Sequence, residues 1–380
     1  MMTIREVQSK NDLKLFASFP NQLYKSSPYY IPSFISDTSI LNRSRNNALE
    51  YCECRLFLCV DGEKVLGRMA TIINHRYNQE HEVKELRIYK LDTIDNFEVV
   101  ATLINQAKSV AVENGLTTVV GEMGFTQFHH YGFLLDGYDN YACYNSKFNY
   151  PYVISHLKRL EFKLDHTWNS YRITLPDKLN PRLDEVTQVI LKKYNLKLEA
   201  INYVKKNESL PMIINKSIAL RLKNYDHFYS FNTISEEEMN NLVTMFKTII
   251  QFTNISSCYY FVVKDKDDDV VGFILGIPSL AKMLGRQKII ISPMIASMYN
   301  KAYNKCDSID IIGFVVNREY QNVGVAGILK NELYKLCIKN GVKYINTDFD
   351  FDLSKSIKDE FCDDKIEKLK TFGSYKYDLI

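Results

Sequence analysis

The sequence predicts a mixed α/β chain. Strand-like and helix-like segments alternate from end to end. The two halves each present, in part, the same order of hairpin, helix and strand. A third observation singles out one place. The chain has only 15 glycines in 380 residues, yet Gly324, Ala326 and Gly327 crowd into "REYQNVGVAGILK", between an apolar run and a helical segment.

The elements follow in order. "CRLFLCVDGEKVLGRMATIIN" predicts a hairpin of two apolar-rich strands joined through Asp61 and Gly62. "FEVVATLINQAKSVAVENG" has helical periodicity and stops at Gly115. "LTTVVGEM" is a short strand, and "KRLEFKLDHTWNSYRITL" is strand-like, with Trp168 expected in the core. "PDKLNPRLDE" holds two prolines and little apolar content, which marks a linker and divides the chain into residues 1–175 and 176–380.

In the second half, "SEEEMNNLVTMFKTIIQF" predicts a helix with Ser235 as N-cap and Glu238 three residues on, a capping box. "CYYFVVKDKDDDVVGFILGIP" is a hairpin whose turn carries Asp265, Asp267, Asp268 and Asp269, a solvated charge run. "IDIIGFVV" is nearly all apolar, so it belongs in the middle of a sheet. A helix then ends at Gly341. In "VKYINTDFDFD", Asp348, Asp350 and Asp352 alternate with Phe349 and Phe351, placing acids on one strand face and aromatics on the other. Fine sequence identity between the halves is not visible, so a structural duplication is expected from element order alone.

Bulk properties exclude several classes. Apolar residues make up 46% and charged residues 24%, ordinary for a globular protein. A formal net charge of +3 is too small to argue for nucleic acid. No run approaches the roughly 18 apolar residues of a membrane span. The start lacks the apolar stretch of a signal peptide. Eight cysteines contain no C-x-x-C pair and read as free buried thiols. His129 and His130 are adjacent, but no further ligands stand at metal-binding spacing, so no metal is expected. The expectation is a cytoplasmic, reduced, soluble protein of open oligomeric state.

The glycine-containing loop carries the chemistry. Backbone N–H groups at a helix start lack partners within the helix and attract phosphate. Small residues let an anion approach them. The P-loop pattern G-x-x-x-x-G-K-[ST] is absent. The dinucleotide pattern G-x-G-x-x-G also fails, because Ala326 and Leu329 hold its second and third places.

Gln321-Asn322-Val323-Gly324-Val325-Ala326 does fit Q/R-x-x-G-x-G/A, and here the sequence resembles the GNAT acetyltransferase superfamily. In that pattern a strand ends in Val, four residues intervene, and Gln or Arg follows; Val316, residues 317–320 and Gln321 match. The resemblance covers the helix, hairpin, strand, helix and strand from about residue 233 to 352. It implies that the amides of Gln321 to Ala326 cradle the diphosphate of acetyl-CoA, the acyl donor. It also implies that the Val316 backbone pairs with the pantetheine arm. The first half resembles a degraded unit of the same kind. "ELRIYKLDTIDNFEVVATLINQA" occupies the strand, loop and helix but lacks the motif, and Asp92, Asp95 and Glu98 would repel a diphosphate.

Acyl transfer to an amine needs a base for the ammonium proton and often an acid for the thiolate. Asp310, Asp348, Asp350 and Asp352 are the carboxylates of the second half weighed as base, with Asp350 and Asp352 on the cleft side. The family's acid is often a Tyr in the helix that follows. The segment taken for that helix, "KSIKDEFCDDKIEKLKTF", has none. Tyr375 and Tyr377, near the end, are the candidates if the last strand folds back beside the site. The resemblance therefore implies an acyl-CoA-dependent N-acyltransferase acting on a small-molecule or peptide amine. N-myristoyltransferases and FemABX-like transferases are variants of that architecture. A non-catalytic module of the same fold, binding CoA, a metabolite or a partner protein, is the alternative.

Overall fold

The computed structural model describes residues 2–32, 37–129, 131–141, 143, 146–201, 210–224, 229, 231–252, 259–279, 306–347 and 365–379. Thirteen strands among them join into one twisted sheet. The first half supplies β1 (Met2–Glu6), β2 (Cys52–Asp61), β3 (Lys64–Asn74), β4 (Glu85–Thr93), β5 (Thr118–Gly121), β6 (Phe133–Asp136) and β7 (Lys163–Thr174). Its helices are α1 (Lys10–Leu23), α2 (His75–Glu80), α3 (Phe97–Glu113) and α4 (Pro151–Arg159). After α5 (Arg182–Lys193), the second half supplies β8 (Lys197–Ala200), α6 (Leu210–Asn224), α7 (Glu236–Phe252), β9 (Tyr259–Lys264) and β10 (Val270–Pro278). β11 (Ser308–Val316), α8 (Val325–Lys339), β12 (Tyr344–Thr347) and β13 (Lys365–Asp378) complete it.

The predicted hairpins form. β2 pairs antiparallel with β3, and β9 with β10. The four aspartates of the second hairpin sit in its turn, where Asp265 caps its own loop and Lys197 and Lys216 reach Asp268 and Asp269. The capping box also forms: the Ser235 N–H donates to Glu238 at 2.8 Å, and the Glu238 N–H donates to Ser235 Oγ at 3.2 Å. β11 lies between β10 and β12, as its apolar run requires. On α3, Val99, Val100, Leu103, Ile104, Ala107, Val110 and Ala111 are all buried, one apolar stripe at helical spacing against the sheet. Trp168 is buried, as expected.

The strand order runs β1-β2-β3-β4-β5-β13-β7-β12-β11-β10-β9-β8. The two halves therefore exchange strands. β7, from the first half, pairs with β12 of the second. β13, from the end of the chain, pairs with β5 and β6 of the first half as well as with β7. One core packs β2–β5 beneath α3 and α4; a second packs β9–β12 beneath α8; a third lies between β9–β11 and the pair α6 and α7. The segment expected as one helix over residues 355–372 is corrected in part: from Lys365 it is strand, held by pairing with β7 along its length. Pro181, expected within a linker, instead stands directly before the first turn of α5. No helix among the described residues is long and apolar enough to cross a membrane.

Candidate functional site

The two halves share a register mark. Gly67 of β3 pairs with Thr93, the last residue of β4, and Gly272 of β10 pairs with Val316, the last residue of β11. Both glycines are close approaches. A Cβ on Gly67 would meet Val99 and Leu103 of α3 at 3.0 Å, and one on Gly272 would meet Val325 of α8 at 2.8 Å. Each absence of a side chain lets the following helix start hard against the sheet. Each strand also makes four parallel register pairs with the next, Glu85↔Thr118 to Ile88↔Gly121 in one half and Ser308↔Tyr344 to Ile311↔Thr347 in the other. In both, the antiparallel register then slips by one residue, between Arg68 and Ala70 and between Leu275 and Gly276.

Beyond Val316 the second half builds a loop. Asn317 anchors it: its N–H donates to the Val271 carbonyl at 2.8 Å, and its side chain accepts from the Glu319 N–H. The Arg318 N–H donates to Asn224 of α6 at 3.1 Å, which pins the next residue. Gln321 and Asn322 are exposed, and Asn322 has φ +62°. Gly324 is the N-cap of α8 with φ +98°, a left-handed conformation that favours glycine. No side chain caps this helix, and no acid lies in its first turn. The open N–H groups and the helix dipole together make a surface suited to an anion.

The first half has no such loop. Seven residues, 317–323, separate Val316 from the N-cap Gly324, whereas only Ile94 and Asp95 separate Thr93 from the N-cap Asn96. Asn96 caps α3 itself, accepting from the Glu98 N–H at 2.9 Å, and Glu98 puts an acid in the first turn. The region along β4 past its pairing with β5 is filled from within. The Lys90 N–H donates to Glu122 Oε1 at 2.9 Å, the Leu91 carbonyl accepts from Lys147 Nζ at 3.3 Å, and the Thr93 carbonyl accepts from the Tyr152 hydroxyl.

Glu122 and Lys147 belong to a buried ionic cluster. Asp92 accepts from Arg68 Nε at 2.8 Å, Lys147 Nζ at 3.0 Å and the Tyr24 hydroxyl at 2.7 Å. Asp37 takes Arg68 and Lys90 at 2.7 and 2.8 Å, and Glu122 takes Lys147 at 3.0 Å. None of the six charged side chains is more than 9% exposed. Three cations balance three anions. Burial works against ionising Asp92, but Lys147 and Arg68 outweigh it and hold its carboxyl down to about 2. Asp37 is held below the usual carboxylate range in the same way, burial being outweighed by Lys90 and Arg68.

The structure brings Val316, Gln321, Asn322, Val323, Gly324, Val325 and Ala326 together at one helix start. Asp348, Asp350 and Asp352 lie outside the described residues, and so does His130. Asp310 is buried on β11, where it accepts from Asn346 at 2.9 Å, and Asn346 in turn accepts from Arg172 of β7 at 3.1 Å. Tyr375 and Tyr377 do not join the loop. β13 does fold back, but into the first half: Tyr375 is buried there with its ring against Phe133, and Tyr377 packs on Phe162 beneath Lys108. Their register partners are Gly121 and Val119 of β5. His129 lies against the rings of Tyr89 and Phe125. No cluster of metal-binding side chains occurs among the described residues.

Comparison with solved structures accounts for the doubled plan. The "Tandem GNAT protein from the clavulanic acid biosynthesis pathway" aligns over 100% of this chain and 99% of its own length, with TM-score 0.51 and 10% identity. The fold is that of a tandem GNAT protein. A GCN5-related glucosamine N-acetyltransferase region of a fungal multi-domain β-N-acetylglucosaminidase aligns over 99% of this chain and 38% of its own, with TM-score 0.52 and 12% identity. In sequence, Protein YghO of Escherichia coli (strain K12) is 20% identical over 281 residues, 73% of this chain and 68% of that protein. No family model matches the sequence. In GNAT terms, the loop belongs to the second repeat and the ionic cluster occupies the corresponding place in the first. Sequence reasoning found the loop from its glycines. It missed the cluster, whose members Asp37, Arg68, Lys90, Asp92, Glu122 and Lys147 are scattered between positions 37 and 147 and carry no spacing signal.

Proposed function

We propose that the second GNAT repeat binds an acyl-CoA, most simply acetyl-CoA, and transfers its acyl group to the nitrogen of a small-molecule or peptide amine. The observation that carries this is the uncapped start of α8 behind its seven-residue loop, set against the self-capped start of α3. The loop from Gln321 to Ala326 holds the diphosphate, through the N–H groups from Asn322 onward, since that of Gln321 donates to the Arg318 carbonyl. The β11 backbone ending at Val316 aligns the pantetheine arm. Side-by-side binding of donor and amine supplies much of the rate. The neutral amine attacks the thioester carbonyl, the C–N bond forms, and the tetrahedral intermediate expels CoA thiolate. A carboxylate takes the ammonium proton, and Asp350 and Asp352 remain the proposed bases. The division of the chain at 175/176 is proposed as a boundary in sequence only, since β7 and β13 cross it in space. The described cysteines are all free, which fits the reduced cytoplasm.

Calorimetric titration of acetyl-CoA into the wild type and Gly327→Glu tests this reading. A Cβ at Gly327 has nothing within 4 Å, so the substitution adds an anion to the first turn of α8 without crowding the fold. Micromolar binding by the wild type, lost in the variant while its melting temperature holds, supports the site. A folded wild type that binds no acyl-CoA removes it. Thiol release with a panel of amines then tests turnover, and Asp350→Asn and Asp352→Asn test the bases.

A further inference from the structure

The helix joining the two repeats lies against the phosphate loop. Asp184, in the first turn of α5, pairs with Lys335 and accepts from Asn331 Nδ2 at 3.0 Å, both on α8. Six residues further on, Ile190 Cδ1 stands 2.5 Å from where a Cβ on Gly324 would be. The two helices thus run antiparallel, and the last turn of α5 arrives beside the first turn of α8.

That last turn carries Lys192 and Lys193, with Tyr194 at the C-cap. Ile190 is the residue that meets Gly324, and Lys193 and Tyr194 follow it at i+3 and i+4, its neighbours on the helix surface. Lys192 points elsewhere around the helix. Neither lysine makes an ion pair among the described residues. The Lys193 ammonium lies 5.0 Å from the Tyr194 ring centroid, and Tyr194 is 37% exposed. An ammonium and an open aromatic face are therefore set together beside a helix start that offers backbone N–H groups.

We propose that Lys193 and Tyr194 of α5 form the outer wall of the acyl-CoA site, taking the adenosine 3′-phosphate end of the ligand. Tyr194 stacks on the adenine, and Lys193 pairs with the 3′-phosphate while the loop holds the diphosphate. α5 lies between the repeats, so this wall makes the chain's middle segment part of the second repeat's site. The inference rests on the acyl-CoA reading above and adds a specific discrimination: CoA against dephospho-CoA, which lacks only the 3′-phosphate.

The test is calorimetric titration of CoA and dephospho-CoA into the full chain, its Lys193→Gln, Lys192→Gln and Tyr194→Ala variants. The wild type is expected to prefer CoA by roughly fivefold, the scale of one exposed charge pair. Lys193→Gln should erase that preference by weakening CoA alone, and Lys192→Gln should leave it intact. Tyr194→Ala should weaken both ligands. If the wild type binds CoA but Lys193→Gln keeps the same ratio between the two ligands, this inference fails and the acyl-CoA reading stands. If the wild type binds neither ligand, both fail.

Discussion

The first and second repeats reach the end of the same strand in the same way and then part. Gly67 with Thr93, and Gly272 with Val316, bring each following helix equally close to the sheet. After Thr93 the chain needs only two residues to enter a helix capped by Asn96. After Val316 it spends seven to reach a helix capped by nothing but a left-handed glycine. Where the second repeat runs into an uncapped loop, the first has packed three cations and three anions against its own strand. A sheet can thus be duplicated while only one copy keeps an open, uncapped helix start. The other copy satisfies its backbone polar groups internally, as any buried polar group must.

Removing the shared strand β13 should have the largest effect. Ending the chain after Asp364 deletes β13, which fills the gap between β5 and β7. Circular dichroism and solubility are expected to show loss of the folded state, including the first repeat, although the deleted residues are the last in sequence. A truncated chain that melts like the wild type would contradict the strand exchange.

Next in size is the ionic cluster. Lys147→Met leaves Asp92 and Glu122 short of a cation in a buried site, and urea unfolding should show a loss of about 3–5 kcal/mol. Tyr24→Phe removes one hydrogen bond to the Asp92 carboxylate and should cost roughly 1.5–3 kcal/mol. Neither change should alter acyl-CoA affinity of a folded sample if the first repeat is not the binding repeat.

The cluster also sets an acid limb. The carboxyl of Asp92 is held near 2 in the folded chain, below its ordinary value of about 3.9. Its stabilising contribution is complete above that ordinary value and is lost as pH falls from about 4 toward 2. Unfolding midpoints measured across this window should drop steeply in the wild type and less steeply in Tyr24→Phe. The smallest effects belong to the loop. Gly324→Ala forces a side chain into φ +98° and against Ile190, and should cost about 1–2 kcal/mol. Gly327→Ala, in open space within a helix, should gain about 0.5–1 kcal/mol. Thermal melts separate the two signs.

Much of the fold was legible because its signals are local. The alternating apolar strands, the α3 stripe and the Ser235 capping box each lie within one short stretch of chain. The loop was legible for the same reason: Gly324 and Ala326 stand between an apolar strand and a helix. What was not legible is non-local. β13 carries Glu367, Lys368 and Lys370 among its apolar residues, so its period looks helical until its partner β7 is known. Tyr375 and Tyr377 drew attention as acids, yet tertiary pairing sends them into the first core. α5 begins within a proline-bearing stretch that reads as linker, and its packing against α8 is what makes it an element.

The most direct measurement is amide hydrogen exchange with and without acetyl-CoA, comparing the two helix starts in one sample. Protection is expected across residues 321–328, with no change across residues 92–100. Protection of the first repeat's segment instead, or of neither under conditions where the protein is folded, would contradict the assignment of the acyl-CoA site to the second repeat.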